Sequence, residues 1–246
     1  MDSTTIVMIA LLMGLAAALY STVGHGGASA YLAIMALFSV APETMRPTAL
    51  ALNLVVAGLG SWRYWRAGQT NVKLLLMFAA TAVPAAFIGG GIKIPPDIYR
   101  PLVGVLLWAA ALRLFWHPWL LAGREPRPVS AAVALPVGAL LGLMAGLTGT
   151  GGGIFLSPLI ILFGWEDARK TSGVAAGFIL LNSIAGLAGN VASMQALPSE
   201  LPILVGAVAA GGIVGTWLGA GRLPKPRLLQ GLGLVLVIAG AKLIFA

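Results

Sequence analysis

Two short runs, Gly24-His25-Gly26-Gly27 and Gly149-Thr150-Gly151-Gly152-Gly153, interrupt otherwise apolar stretches of the chain. A helix that starts just after such a break points its unpaired amide N–H groups and partial positive end back at the glycines, chemistry suited to holding an anion. Short polar side chains follow each run. Thr48 matches Thr171-Ser172, each just after a charged link, where a hydroxyl either caps a helix start or donates to a substrate. Asn182 lies eleven residues beyond Thr171, three helical turns along the same face, and Asn53 falls at mid-depth in the earlier segment. Such amides either join helices or line a cavity. His25 stands where the later run has Thr150. Its imidazole either titrates near neutral pH or acts as a plain hydrogen-bonding group. Close packing of helices on small residues is the competing role for glycine, and it suits Gly211, Gly215 and Gly219 better than the two runs.

Other chemistry is poorly provided for. The chain has no Cys and only two His, and His25 and His117 lie far apart, so neither a metal site nor a cofactor is expected. Glu43, Asp97, Glu125, Glu166, Asp167 and Glu200 fall at or beyond the ends of the apolar segments, which disfavours cation sites and carboxylate proton relays within them. An intramembrane enzyme would need a nucleophile, acid or metal-ligand cluster at depth, and the apolar segments offer isolated hydroxyls, amides and His25.

The elements that position these residues are set by composition. Of 246 residues, 59% are hydrophobic and 9% charged, against roughly 25% charged in soluble domains. The 33 Gly and 15 Pro exceed what water-soluble helices tolerate but are common in membrane helices. An all-α, multi-pass membrane protein follows. With about 20 residues needed per crossing, the sequence predicts segments near 5–23, 26–41, 46–62, 73–92 and 98–116, then 129–148, 152–164, 169–191, 201–220 and 226–245. Segment 26–41 is short and suits a re-entrant half-helix, so the glycine runs are expected to form hairpin tips. The acidic start, Met1-Asp2, argues for an uncleaved first helix.

The halves repeat. Besides the glycine runs, Gly90-Gly91-Ile92-Lys93-Ile94-Pro95 recurs as Gly219-Ala220-Gly221-Arg222-Leu223-Pro224, Gly104 as Gly233 and Arg113-Leu114 as Lys242-Leu243, with an offset growing only from 125 to 129. This divides the chain into a first transmembrane repeat over 1–118, a cytoplasmic linker over 119–128 and a second repeat over 129–246. Basic residues concentrate in the links with Arg63/Arg66/Lys73, Arg113/Arg124/Arg127 and Arg222/Lys225/Arg227, which the positive-inside rule places in the cytoplasm, with both termini opposite. Trp62, Tyr64 and Trp65, and Trp116, His117 and Trp119, then read as interfacial anchors. The Lys93 and Arg222 links would face opposite compartments, which makes the repeats inverted, an architecture common among secondary transporters.

At these residues the chain resembles the TauE/SafE family of sulfite exporter-like permeases. The resemblance rests on Gly149-Thr150-Gly151-Gly152-Gly153, Ser157-Pro158-Leu159 and Ala168-Arg169-Lys170-Thr171-Ser172, and it extends over essentially the whole chain. The first half departs from the pattern: His25 and Ala28 interrupt the glycine run, Ala33 replaces the proline and Ala49 the serine. The resemblance implies transport of small anions, sulfite or organosulfonates such as sulfoacetate, usually outward across a bacterial plasma (inner) membrane. The residues alone also leave room for a passive anion channel or an uptake permease. The expected partners are a small anionic substrate and the lipid bilayer; a homo-oligomer is compatible with them, and nucleic acid is not expected.

Overall fold

The computed structural model describes residues 2–22, 24–115, 126–219 and 226–245. Among these, ten α-helices follow in order: α1 (Ser3–Ser21), α2 (Ala28–Leu37), α3 (Pro42–Arg66), α4 (Val72–Gly91), α5 (Pro96–Phe115), α6 (Ala131–Thr148), α7 (Gly153–Leu162), α8 (Ala168–Gly189), α9 (Leu201–Gly219) and α10 (Pro226–Phe245). A 3₁₀ turn, Val191–Ala196, precedes α9. Five helices, Ser3–Ser21, Val72–Gly91, Ala131–Thr148, Ala168–Gly189 and Leu201–Leu218, are long and apolar enough to cross a membrane. Each expected segment coincides with a helix. The expectations about Trp116, His117, Trp119, Arg124, the 220–225 link and the Arg113 side chain fall outside the described residues.

The two short helices follow from the glycines. Gly27 and Gly152, the N-cap residues of α2 and α7, hold φ of 91° and 78°, a left-handed turn that favours glycine and starts each helix afresh. Each new helix has 10 residues, about 15 Å of rise, half the roughly 30 Å hydrocarbon layer. Ala28 to Ala36 are all buried, so the broken backbone before α2 is enclosed by protein, as lipid requires.

Helix partners repeat between the halves: α4 packs on α6 as α9 packs on α1, α4 on α8 as α9 on α3, and α3 crosses α8 while α5 pairs with α10. Small residues make the long contacts close. A Cβ at Gly142 or Gly146 would collide with the carbonyl oxygen of Ala82 or Ala86 on α4, and one at Gly211 or Gly215 with that of Gly14 or Ala18 on α1. Gly211 and Gly215 thus have the packing role expected of them. At the α3–α8 crossing the contacts are reciprocal: Gly60 lies against Ala176, and Gly186 against Leu50, pairs related by the same offset of 126 residues.

Links gather at two ends of the bundle. At one end Lys242 Nζ of α10 donates to Leu37 O and Ser39 Oγ after α2, and a cavity there is lined by Ile6, Ser39 and Glu200 together. At the other end the Arg127 amide donates to Gly164 O at 2.7 Å, and Asn71 Nδ2, whose own Oδ1 caps α4, donates to Glu166 Oε2 at 2.6 Å.

Two expectations are corrected. Tyr64 is not an interfacial anchor: Trp62 and Trp65 are exposed, but Tyr64 lies on the opposite face of α3, buried, with its hydroxyl donating to Thr22 O at 3.3 Å. Neither Thr48 nor Thr171 caps a helix. α3 begins earlier, at Pro42, and α8 is capped by Asp167, whose carboxylate accepts from the Arg169 and Lys170 amides at 2.9 Å.

Candidate functional site

The α1–α2 and α6–α7 hairpin tips meet beside the α3–α8 crossing. A Cβ at Gly26 would strike Asn53 Oδ1 and come within 3.1 Å of Ile179 Cγ2. At Gly151, 125 residues later, it would come within 2.8 Å of both Asn53 Nδ2 and Ile179 Cγ2, and 3.4 Å of Ser183 Oγ. Asn53 on α3 and Ile179 on α8 therefore border both tips. Asn53, Asn182 and Ser183 are completely buried.

The polarity of the tips follows from which backbone groups are already satisfied. The Tyr31 hydroxyl donates to Gly26 O at 2.7 Å, and Asn182 Nδ2 approaches the equivalent carbonyl, Gly151 O, at 3.5 Å. Each of those carbonyls thus accepts from a side-chain donor within the protein, and the first amide N–H groups of α2 and α7 have no partner within their own helices. Two helix starts each contribute about half a positive charge. Side-chain capacity is also unfilled: Asn53 Oδ1, Asn182 Oδ1, Thr48 Oγ1 and Thr171 Oγ1 are buried with no hydrogen-bond partner among the described residues. A carboxamide in such a place can present either its oxygen or, turned over, its NH₂ group. The helix-start amides and the Asn53 and Asn182 carboxamides form a small neutral-to-positive polar island in apolar surroundings, suited to a compact anion.

The other expected site residues are distributed along this axis. His25 is buried, with its amide on Tyr20 O at 3.0 Å and its ring edge-on to Tyr20. Thr150, its counterpart, turns its hydroxyl to Thr148 Oγ1 at 3.1 Å, so it braces the tip rather than facing Asn53. Gly24 closes on the Ser172 backbone, and Gly149 on that of Arg46. The Ser172 hydroxyl bonds back to Ala168 O at 3.2 Å. Gly153 opens α7 against Ile179 and the Ala175 carbonyl. Thr48 stands apart from the tips and lines an apolar cavity of about 300 Å³ that also reaches Glu200.

Five residues that the sequence did not single out belong to this arrangement. Tyr31 and Ser183 were visible as polar side chains near Gly26 and Asn182; Ile179 carries no signal among apolar neighbours. Arg46 is the least expected. It is buried within α3, donates to Ile92 O at 2.9 Å, to Gly89 O at 2.7 Å and to Gly90 O, and so caps the end of α4 beside the second tip. Tyr99, donating to Thr148 O at 3.0 Å, ties α5 to the same tip. Among the described residues no group of His, Asp or Glu is arranged to hold a metal ion.

A bundle of apolar helices with two half-helices whose starts converge on buried amides has the design of a membrane transporter. The family model for the sulfite exporter TauE/SafE matches residues 9–243, and the chain belongs to that family. It is 37% identical over 229 residues to a probable membrane transporter protein, y4hK, of Sinorhizobium fredii, covering 92% of this chain and 93% of that one. It is also 25% identical over 262 residues to a probable membrane transporter protein of Bacillus subtilis, YjnA, covering 98% and 100%. No solved structure matches. The chain is thus a multi-pass membrane protein of a bacterial transporter family, and its place is the bacterial plasma membrane.

Proposed function

We propose that the protein carries small oxyanions, sulfite or organosulfonates such as sulfoacetate, outward across the plasma membrane by alternating access between two inverted halves. The observation that carries this reading is the convergence of both tips on Asn53 and Ile179, with Gly26 O and Gly151 O each held by a side-chain donor. An anion between the tips would receive amide donors from α2 and α7, while the Asn53 and Asn182 carboxamides complete its coordination. The absence of carboxylates from the tips favours an anion over a cation.

Inversion is supported by the grouping of the links. The 38–41 link lies at the end with Lys242 and Glu200, while its counterpart, 163–167, lies at the end with Arg127 and Asn71. The reciprocal α3–α8 contacts supply the surface on which one half can move against the other, in the manner of inverted-repeat carriers. On this reading the division falls at 119–128 and substrate alternates between two accessible states.

Proteoliposomes loaded with unlabelled sulfite supply the test. Counterflow should drive uptake of external radiolabelled sulfite, and methanesulfonate should compete with it. Linear, non-saturating flux without counterflow would instead mark a channel, and no flux of any sulfur oxyanion would remove the substrate class.

A further inference from the structure

Away from the tips, the corner between α2 and α3 holds a conformational oddity. Ser39 has φ of 56° and is the one non-glycine residue with positive φ among the described residues. The turn is a helix C-cap of the left-handed kind: the Val40 amide returns to Met35 O at 2.9 Å and that of Ser39 to Ala36 O at 3.1 Å. The second half builds the same cap at Gly164, φ 67°, with Trp165 returning to Ile160 O at 2.9 Å and Gly164 to Ile161 O at 3.1 Å. Gly164 follows Ser39 by 125 residues, so one repeat uses the residue the turn favours and the other tolerates a strained serine.

The serine's hydroxyl offers a reason. Ser39 Oγ accepts from Lys242 Nζ at 2.9 Å and keeps its own proton available for donation. Lys242 also donates to Leu37 O at 2.9 Å, which fixes the ammonium at the corner. Ser39, Lys242 and Arg100 line one cavity of about 220 Å³ with no Asp or Glu among its described lining residues. The ion pairs found among the described residues belong to Lys170, so no described carboxylate pairs with either cation of this cavity. The larger cavity across the Ser39–Ala41 wall is mainly apolar and contains Glu200. Charge thus separates two adjacent chambers at the same end of the bundle.

We propose that the Arg100–Lys242 chamber is a second anion site, distinct from the tips, which captures a small oxyanion through the two cations and the Ser39 hydroxyl. The chemistry fits a soluble sulfonate or the phosphate of an anionic lipid headgroup. Guanidinium and ammonium supply charge-assisted donors, and Ser39 supplies a directional one.

The natural absence of Cys permits a direct test with Val40→Cys, which places a thiol in the wall between this chamber and the apolar one. The protein is labelled with a maleimide in phosphatidylcholine nanodiscs, with and without methanesulfonate, at constant ionic strength. Methanesulfonate should slow labelling, and adding Arg100→Gln with Lys242→Gln should raise the concentration needed by about tenfold. Ser39→Gly should also weaken protection while leaving the melting temperature equal or higher, because glycine suits the turn. A merely structural Ser39 would show no weakening, which counts against the proposal. Protection should persist in Asn53→Leu, which separates this chamber from the tip site: failure of the tip reading leaves it intact. In phosphatidylglycerol nanodiscs, slow labelling without added anion that the double Gln variant abolishes assigns lipid phosphate as the occupant of the same two cations. A Val40→Cys thiol left unprotected in both lipids, or protection unaffected by the double Gln substitution, overturns the proposal.

Discussion

Asn53 and Ile179 lie 126 positions apart on α3 and α8, yet both border the same two glycines, Gly26 and Gly151. A polar and an apolar residue therefore hold equivalent places beside the meeting tips. Asn53→Leu keeps the approximate length and removes the carboxamide. Asn53 Oδ1 is buried with no partner among the described residues and Nδ2 donates to Ser183 Oγ only at 3.4 Å, so the change should leave thermal stability nearly unchanged. Transport of sulfite should fall by about tenfold or more. Undiminished transport by the folded variant would separate Asn53 from substrate.

Glycine substitutions should divide by backbone conformation. Gly151 has φ of 74°, so Gly151→Ala should cost roughly 1–2 kcal/mol and lower the melting temperature as well as transport. Gly26 lacks that constraint, and its new methyl would press on the Asn53 carboxamide, so Gly26→Ala should reduce anion affinity more than stability. Gly215→Ala, against the Ala18 carbonyl, should reduce stability and yield while the surviving protein keeps its affinity. Anion-dependent melting curves on the three variants give both quantities.

Arg46 should be structural in a way Lys cannot replace. Its fork reaches carbonyls at Gly89, Gly90 and Ile92, and a compact ammonium cannot span all three. Arg46→Met should destabilise by roughly 2–4 kcal/mol, and Arg46→Lys should recover only part of the lost melting temperature. Full recovery by Lys would show that charge alone matters there.

Accessibility should follow the grouping of the links. Lys93→Cys should react with an impermeant thiol reagent in intact cells, whereas Gln69→Cys and Arg127→Cys should react only after permeabilisation. Labelling of all three from outside would end the inverted arrangement.

Much of this was legible in the sequence because local signals suffice for it. Glycine runs inside apolar sequence mark a broken helix, since lipid leaves no other use for freed backbone groups, and α2 and α7 begin where those runs end. Asn53 and Asn182 stand out as amides in apolar segments. Arg46 did not, because a charge beside Pro47 reads as the margin of a span, whereas carbonyls from α4 let it be buried. Thr48 and Thr171 read as caps only until the true starts of α3 and α8 are known. Ile179 had no signal, because its place depends on how α3 crosses α8, a contact between residues far apart in the chain.

The most direct measurement is the location of a bound anion. Crystals grown with 2-bromoethanesulfonate should give an anomalous bromine peak beside the meeting tips, with the sulfonate against Asn53 and the amides opening α2 and α7. That peak should be missing in Asn53→Leu crystals. Tips empty of anion at saturating ligand, with bromine found only in the Arg100–Lys242 chamber or on the surface, would contradict binding between the tips.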